Sequence, residues 1–174
     1  MNKFPKKSLS RCLLPILCII PFAVTSCDKV RDPIYAGTWQ FAETITTDGQ
    51  VFNTIRTLIL AKKSFEETYL VEREEAETVS AIFGKKGDLS SSHSSLIFNL
   101  KELGTCKEDE LDACTGIVEW YHEGSGYWND NIRYFEAVVV GEFEVDETTL
   151  RLKRDLNNDD DTDDPGEDVV FDRI

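Results

Sequence analysis

From Gly37 onward the chain alternates, and this two-residue period constrains its fold more than any other feature. Apolar side chains that recur at every second residue share one face of an extended strand and require a sheet with one side buried. Trp39, Phe41 and Glu43 point one way, and Gln40, Ala42 and Thr44 the other. A threonine-rich continuation runs to Thr47. Asp48-Gly49 follows, a dipeptide suited to a two-residue hairpin turn because both positions tolerate positive φ. Val51 to Leu60, rich in β-branched residues and leucine, is the return strand.

Ser64 to Glu77 carries two patterns. Ser64-Phe65-Glu66-Glu67 fits a helix capping box. However, Phe65, Glu67, Tyr69 and Val71 also alternate with Glu66, Thr68, Leu70 and Glu72, and strand is preferred because both neighbours are strands. Val79, Ala81 and Phe83 alternate up to an expected turn at Lys85-Lys86-Gly87-Asp88. A serine-rich stretch, Ser90 to Ser95, leads into a strand over Leu96 to Leu103. Ile117 to His122 is a further strand. Gly124-Ser125-Gly126 then breaks the pattern, and Tyr127 to Asn131 reads as an aromatic loop. Arg133 to Val145 is expected to be one long strand, with Phe135, Ala137, Val139, Gly141, Phe143 and Val145 on one face. Thr148 to Leu156 and Val169 to Ile174 complete the set. Eight or nine short strands in sequential hairpins, with no long helix, predict an all-β fold: an antiparallel barrel, or alternatively a β-sandwich.

The residues before this domain have a different character. Lys3, Lys6, Lys7 and Arg11 give a basic start, and the apolar run Cys12 to Val24 follows. That run is shorter than the roughly 20 residues a spanning helix needs; with small residues after it, it has the form of a secretory signal. Val24-Thr25-Ser26-Cys27 resembles a bacterial lipobox, although Val24 stands where leucine is commonest. The resemblance implies a signal peptide over 1–26, a lipidated Cys27, a tether over 27–36 and a single β domain over 37–174. It also implies an exported, lipid-anchored protein, at the outer membrane or cell surface rather than the inner membrane. An ordinary cleaved signal and an uncleaved anchor are the competing readings.

Cleavage before Cys27 would remove four of the 19 basic residues and none of the 33 acidic ones, leaving a formal charge of −18. Such a surface repels phosphate backbones, which argues against nucleic-acid binding. It also disfavours docking on an anionic membrane, so lipid would be the membrane contact. Of the cysteines in such a mature chain, Cys106 and Cys114 remain once Cys27 is lipidated. In an exported protein an even remainder reads as a disulfide. It would close a hairpin tip and add roughly 2.5 kcal/mol on the chain-entropy model. A two-cysteine metal site is the other reading, and it has no nearby partners.

Gly37-Thr38-Trp39, at the start of the first strand, is similar to the Gly-x-Trp of the lipocalins. The resemblance implies an eight-stranded up-and-down barrel with Trp39 at its closed end beneath an arginine from near the last strand. Arg173 is the matching residue, and the stacking would be a cation–π contact.

Two stretches bear on function. Asp155 to Asp168 holds eight carboxylates and no positive charge in 14 residues. Oxygens at alternate positions suit Ca²⁺, which takes six to eight of them. Asp155, Asn157, Asp159, Asp161, Asp163 and Glu167 are therefore candidate ligands, although the spacing is not that of an EF-hand. The bland alternative is a solvated acidic hairpin loop that discourages edge-to-edge association. Trp120 to Asn131 mixes aromatics with Asn, Asp and Gly. Trp120 is expected in the core, whereas Tyr127, Trp128 and Asn129 could contact a protein or glycan, or fold back over the barrel mouth. His93 and His122 are the only histidines, and no pair of carboxylates is singled out for catalysis, so no enzyme is expected. The sequence thus suggests a membrane-anchored lipoprotein with a non-enzymatic binding or structural role, whose ligand could be a small apolar molecule inside the barrel. A calcium-dependent interaction module is the alternative and a periplasmic enzyme the third reading.

Overall fold

The two-residue period becomes nine antiparallel strands in a computed structural model. The structure describes residues 32–74, 78–111, 113–156, 159, 161–162, 164 and 166–174. The expected signal, Cys27 and the first part of the expected tether lie outside them. The chain divides into two units, Met1–Val30 and Arg31–Ile174, and every described residue belongs to the second. No helix among the described residues is long and apolar enough to cross a membrane.

Strands β1 (Gly37–Thr47) and β2 (Gln50–Leu60) form the first hairpin, with Thr47 opposite Gln50. Asp48 and Gly49 both hold positive φ, 52° and 75°. That pair of values defines the hairpin turn whose twist matches the flanking strands. Strands β3 (Ser64–Arg73), β4 (Thr78–Ser91) and β5 (Ser95–Glu108) continue the meander. The preference for strand over helix at Ser64 is correct, because all of Ser64–Arg73 finds partners on β4. Next come β6 (Cys114–His122), helix α1 (Gly126–Asn131), a 3-10 turn (Ile132–Tyr134), β7 (Val138–Val145), β8 (Thr149–Arg154) and β9 (Asp168–Arg173).

The sheet closes. β4 pairs with β5, β5 with β7, and β9 returns to β1, so that eight strands form a ring and β6 adds to the outside edge of β5. This is a closed antiparallel barrel of lipocalin-like form with one extra strand. Closure gives every strand of the ring a neighbour on both sides, with β1 meeting β9 at Trp39 and Gln40.

Two expectations need correction. Lys85-Lys86-Gly87-Asp88 is not a turn, since β4 runs straight through it with a register shift between Lys86 and Gly87. The glycines serve close approach here: a Cβ on Gly87 would lie 1.9 Å from the Asn99 carbonyl oxygen, and one on Gly84 would lie 2.5 Å from the Trp120 ring. The long strand expected from Arg133 begins only at Val138. Residues 126–134 coil instead, because Ser125 caps the helix: its hydroxyl accepts from the Trp128 backbone N–H at 3.2 Å. Val139, Gly141, Phe143 and Val145 still share the inner side.

The closed end of the barrel is filled. Trp39, Leu58, Leu60, Phe65, Leu96, Leu150 and Phe171 are buried together there. Trp39 donates through Nε1 to the Tyr35 carbonyl at 2.8 Å. The Arg173 guanidinium lies 4.1 Å from the Trp39 ring centroid and donates to the carbonyls of Ile34 and Ala36. The expected Trp39–Arg173 stack is therefore present. It also seals the segment before β1, with Tyr35 buried against the same core.

The Gly87→Ala variant should lose about 1–3 kcal/mol, because the obstructing Asn99 atom is backbone and cannot swing aside. The urea midpoint measures this. Gly126→Ala, whose Cβ meets nothing within 4 Å, should stay within about 0.5 kcal/mol of the parent. Equal midpoints for the two variants would show that close packing at Gly87 is not what the fold requires.

Candidate functional site

Above the filled end, each of several strands places a charged side chain where its alternation points inward. On β2 Arg56 follows Thr54 and precedes Leu58; on β3 Glu67 lies between Phe65 and Tyr69; on β8 Arg154 follows Leu150 and Leu152. These side chains meet. The Glu67 carboxylate accepts from Arg56 Nε at 2.6 Å and from Arg154 at 2.8 and 3.1 Å. Lys85 Nζ, from β4, stands 3.5 Å away. Glu67 and Arg154 are each 3 % exposed. Burial by itself would raise the Glu67 carboxyl, but the charges of Lys85 and Arg56 and their hydrogen bonds outweigh it. The group is held below the ordinary carboxylate range. Both guanidiniums also lie over aromatic rings, Arg56 over Phe171 at 5.6 Å and Arg154 over Phe98 at 5.3 Å.

This ionic layer is the floor of a cavity of about 670 Å³. The cavity lies towards the other end of the barrel, where β1 to β5 extend past the shorter β7 to β9. Phe41, Ile45, Tyr69, Phe83, Phe135 and Val169 give it apolar walls; Arg56, Glu67 and Lys85 face it from below. A second pocket of about 160 Å³ shares Glu67, Lys85, Phe135 and Leu156 with it and reaches Arg154.

The acidic stretch forms one side of the mouth, with Leu156, Gly166 and Asp168 lining the cavity. Arg56 ties that stretch to the floor by donating through Nη1 to the Gly166 carbonyl at 3.0 Å. Glu167 is 2 % exposed. Its Oε1 accepts from the Leu156 backbone N–H at 2.6 Å, while its buried Oε2 has no hydrogen-bond partner among the described residues. Among the described residues, Asp159, Asp161 and Glu167 each bring one carboxylate oxygen within 4.8 Å of the others. This acidic cluster could coordinate a divalent cation such as Ca²⁺. Of the remaining candidates, Asp155 is outside that grouping and accepts from the Asp159 backbone N–H. Asn157 and Asp163 lie outside the described residues.

Elsewhere, Cys106 and Cys114 form the expected disulfide, with Cα atoms 5.5 Å apart. Trp128 is buried against the barrel core, Tyr127 stacks on Tyr121 at 4.4 Å, and Asn129 is exposed. Trp120 is half-buried and lies against Gly84 and Gly104, with Lys86 Nζ 3.8 Å over its ring. His93 and His122 are both exposed, His93 in the hairpin between β4 and β5 and His122 at the end of β6. No protein-family model matches the chain, and no curated protein matches it.

Sequence reasoning missed Arg56, Glu67, Lys85 and Arg154. The signal was a charge at a position whose neighbours two residues away are apolar. Phe65, Glu67 and Tyr69 were already assigned to one face, but a carboxylate between two rings carries no sign of which cations the barrel will bring to it.

Glu67→Gln removes the countercharge of two buried arginines and should cost about 3–5 kcal/mol. A carboxyl held below its unfolded value stabilises the fold above that value, about 4.3, and loses its contribution as pH falls through the folded one. The stability difference between parent and variant should therefore shrink below about pH 4. Chemical denaturation across pH measures it, and a gap that stays constant down to acid pH would rule out the charge as its source.

Proposed function

We propose that this protein is a non-enzymatic binding barrel whose mouth loop takes calcium. The observation that carries this reading is Glu167. A carboxylate oxygen that is buried without a hydrogen-bond partner is costly, and here it belongs to a side chain that shares a cluster with Asp159 and Asp161. A hard cation that seeks oxygen ligands would satisfy it, with backbone carbonyls and water completing the shell. The same loop walls the cavity through Leu156 and Gly166, so a cation there would brace the rim of the binding site. This supports a calcium-dependent module more directly than a purely structural role.

Calcium at a hundredfold excess over its Kd should stabilise the protein by about 2.7 kcal/mol, visible as a rise in Tm that chelation reverses. Glu167→Gln should abolish the rise. An unchanged Tm in millimolar calcium, or an equal rise in the variant, would remove the cation from the function.

We also propose that the barrel is exported and anchored through lipid on Cys27. The support is the basic, apolar and small-residue order of its first 27 residues. Intact mass of the membrane-extracted protein tests it. A mature chain that begins at Cys27 with acyl chains attached is expected, and Cys27→Ala should release the protein from the membrane fraction. Unmodified Cys27 would end this part of the proposal.

A further inference from the structure

We infer that the barrel cavity takes a long-chain amphiphile with an anionic head, seated head-down on Arg56 and Lys85. The inference rests on the binding reading of the cavity and adds the chemical class of its ligand. A volume of about 670 Å³ lies within the range of small-molecule sites, about 300–1,000 Å³, and the walls are apolar and aromatic. The polarity sits at the bottom, which fixes the ligand's direction: tail along Phe41, Ile45, Tyr69 and Phe83, head on the ionic layer.

The sign of the head follows from which hydrogen-bonding capacity is already used. Among the described residues Glu67 is the carboxylate of the floor, and its two oxygens take one contact from Arg56, two from Arg154 and one from Lys85. That fills the acceptor sites a carboxylate offers. A cationic head would find no acceptor there and two cations, Arg56 and Lys85, facing it. The donors are not used up. The Arg56 guanidinium and the Lys85 ammonium hold more N–H groups than Glu67 and the Gly166 carbonyl take from them. Lys85 has a side chain 29 % exposed and a single 3.5 Å ion pair, and it stands 5.9 Å from the Phe135 ring beside the open volume. A carboxylate or phosphate head would receive charge-assisted hydrogen bonds from this layer.

The other acidic groups do not reverse this balance. Glu43 is exposed at the mouth. Asp168 is held from the outside by Arg151 in a bidentate pair at 2.6 and 2.8 Å. Glu167 is committed through Oε1 to Leu156 and belongs to the cation cluster. An acidic mouth above a cationic floor also disfavours the reverse pose, with an anionic head at the rim.

Displacement of a fluorescent anionic apolar probe from the full chain, with calcium and with chelator, tests the inference. The competitors share one tail: myristate, myristyl alcohol, and the myristyl quaternary ammonium. Myristyl phosphate separates carboxylate from phosphate heads. At least one of the two anions should compete about tenfold more strongly than the alcohol, the size expected of a hydrogen bond to a charged group. The ammonium should compete least. Lys85→Met should remove most of the advantage of the anions over the alcohol when both are compared on the same variant. If the alcohol or the ammonium matches the anions, the anionic head is wrong while the cavity still binds. If no tail competes, the binding reading of the cavity falls as well. The head-group series on the parent protein decides the matter even where Lys85→Met does not fold.

Discussion

The Glu67 carboxylate and the cations around it divide this barrel in two. Below them the interior is closed by hydrocarbon, with Trp39, Leu58, Leu150 and Phe171 almost without exposure. Above them a cavity opens. A buried carboxylate is tolerable only when paired and hydrogen-bonded, and this one draws partners from β2, β4 and β8. Arg56 and Lys85 come from the strands that flank β3, whereas Arg154 comes from across the ring, so its contact with Glu67 forms only when the ring is closed. Replacing such a layer with apolar side chains is often neutral or stabilising. Here the retained charge forms the polar floor of the cavity.

Strand length explains why the site lies where it does. β4 and β5 run 14 residues each, whereas β8 and β9 run six. The long wall overshoots the short one, and apolar side chains on its inner face, among them Ile45 and Phe83, are left lining open space. The gap is bordered by the segment before β7 and by the acidic stretch between β8 and β9. Arg56 links the two levels: one guanidinium contacts Glu67 in the floor and the Gly166 carbonyl in the rim. A change in the loop would therefore be felt at the floor through a single side chain.

Much of the fold was legible because its causes are local. The Asp48-Gly49 turn follows from two residues that accept positive φ, and the strands follow from alternation. The errors were local evidence outweighed by distant contacts. Lys85-Lys86-Gly87-Asp88 has the composition of a turn, yet β3 and β5 on either side supply partners that hold it extended. Tyr127 and Trp128 were set in loop chemistry; Ser125 instead starts a short helix there and Trp128 turns into the core. In both places glycine was read as a chain breaker. At Gly84 and Gly87 its actual use is close approach, which only the neighbouring strand reveals.

The sequence by itself determined the all-β class, the hairpin order and the Cys106–Cys114 pair, and it marked the acidic stretch as a candidate for a cation. These depend on period, turn chemistry and residue type, which are properties of neighbours along the chain. Only the tertiary structure decided that the barrel is half filled and half open. It alone brought Arg56, Glu67, Lys85 and Arg154 together and left one oxygen of Glu167 buried without a hydrogen bond from the described residues. The physical reason is that the barrel closes through pairings between residues far apart in sequence: β9 returns to β1, and Arg154 reaches Glu67 across 87 positions. Electrostatic balance inside a closed ring depends on which strands become neighbours, and no local pattern encodes that.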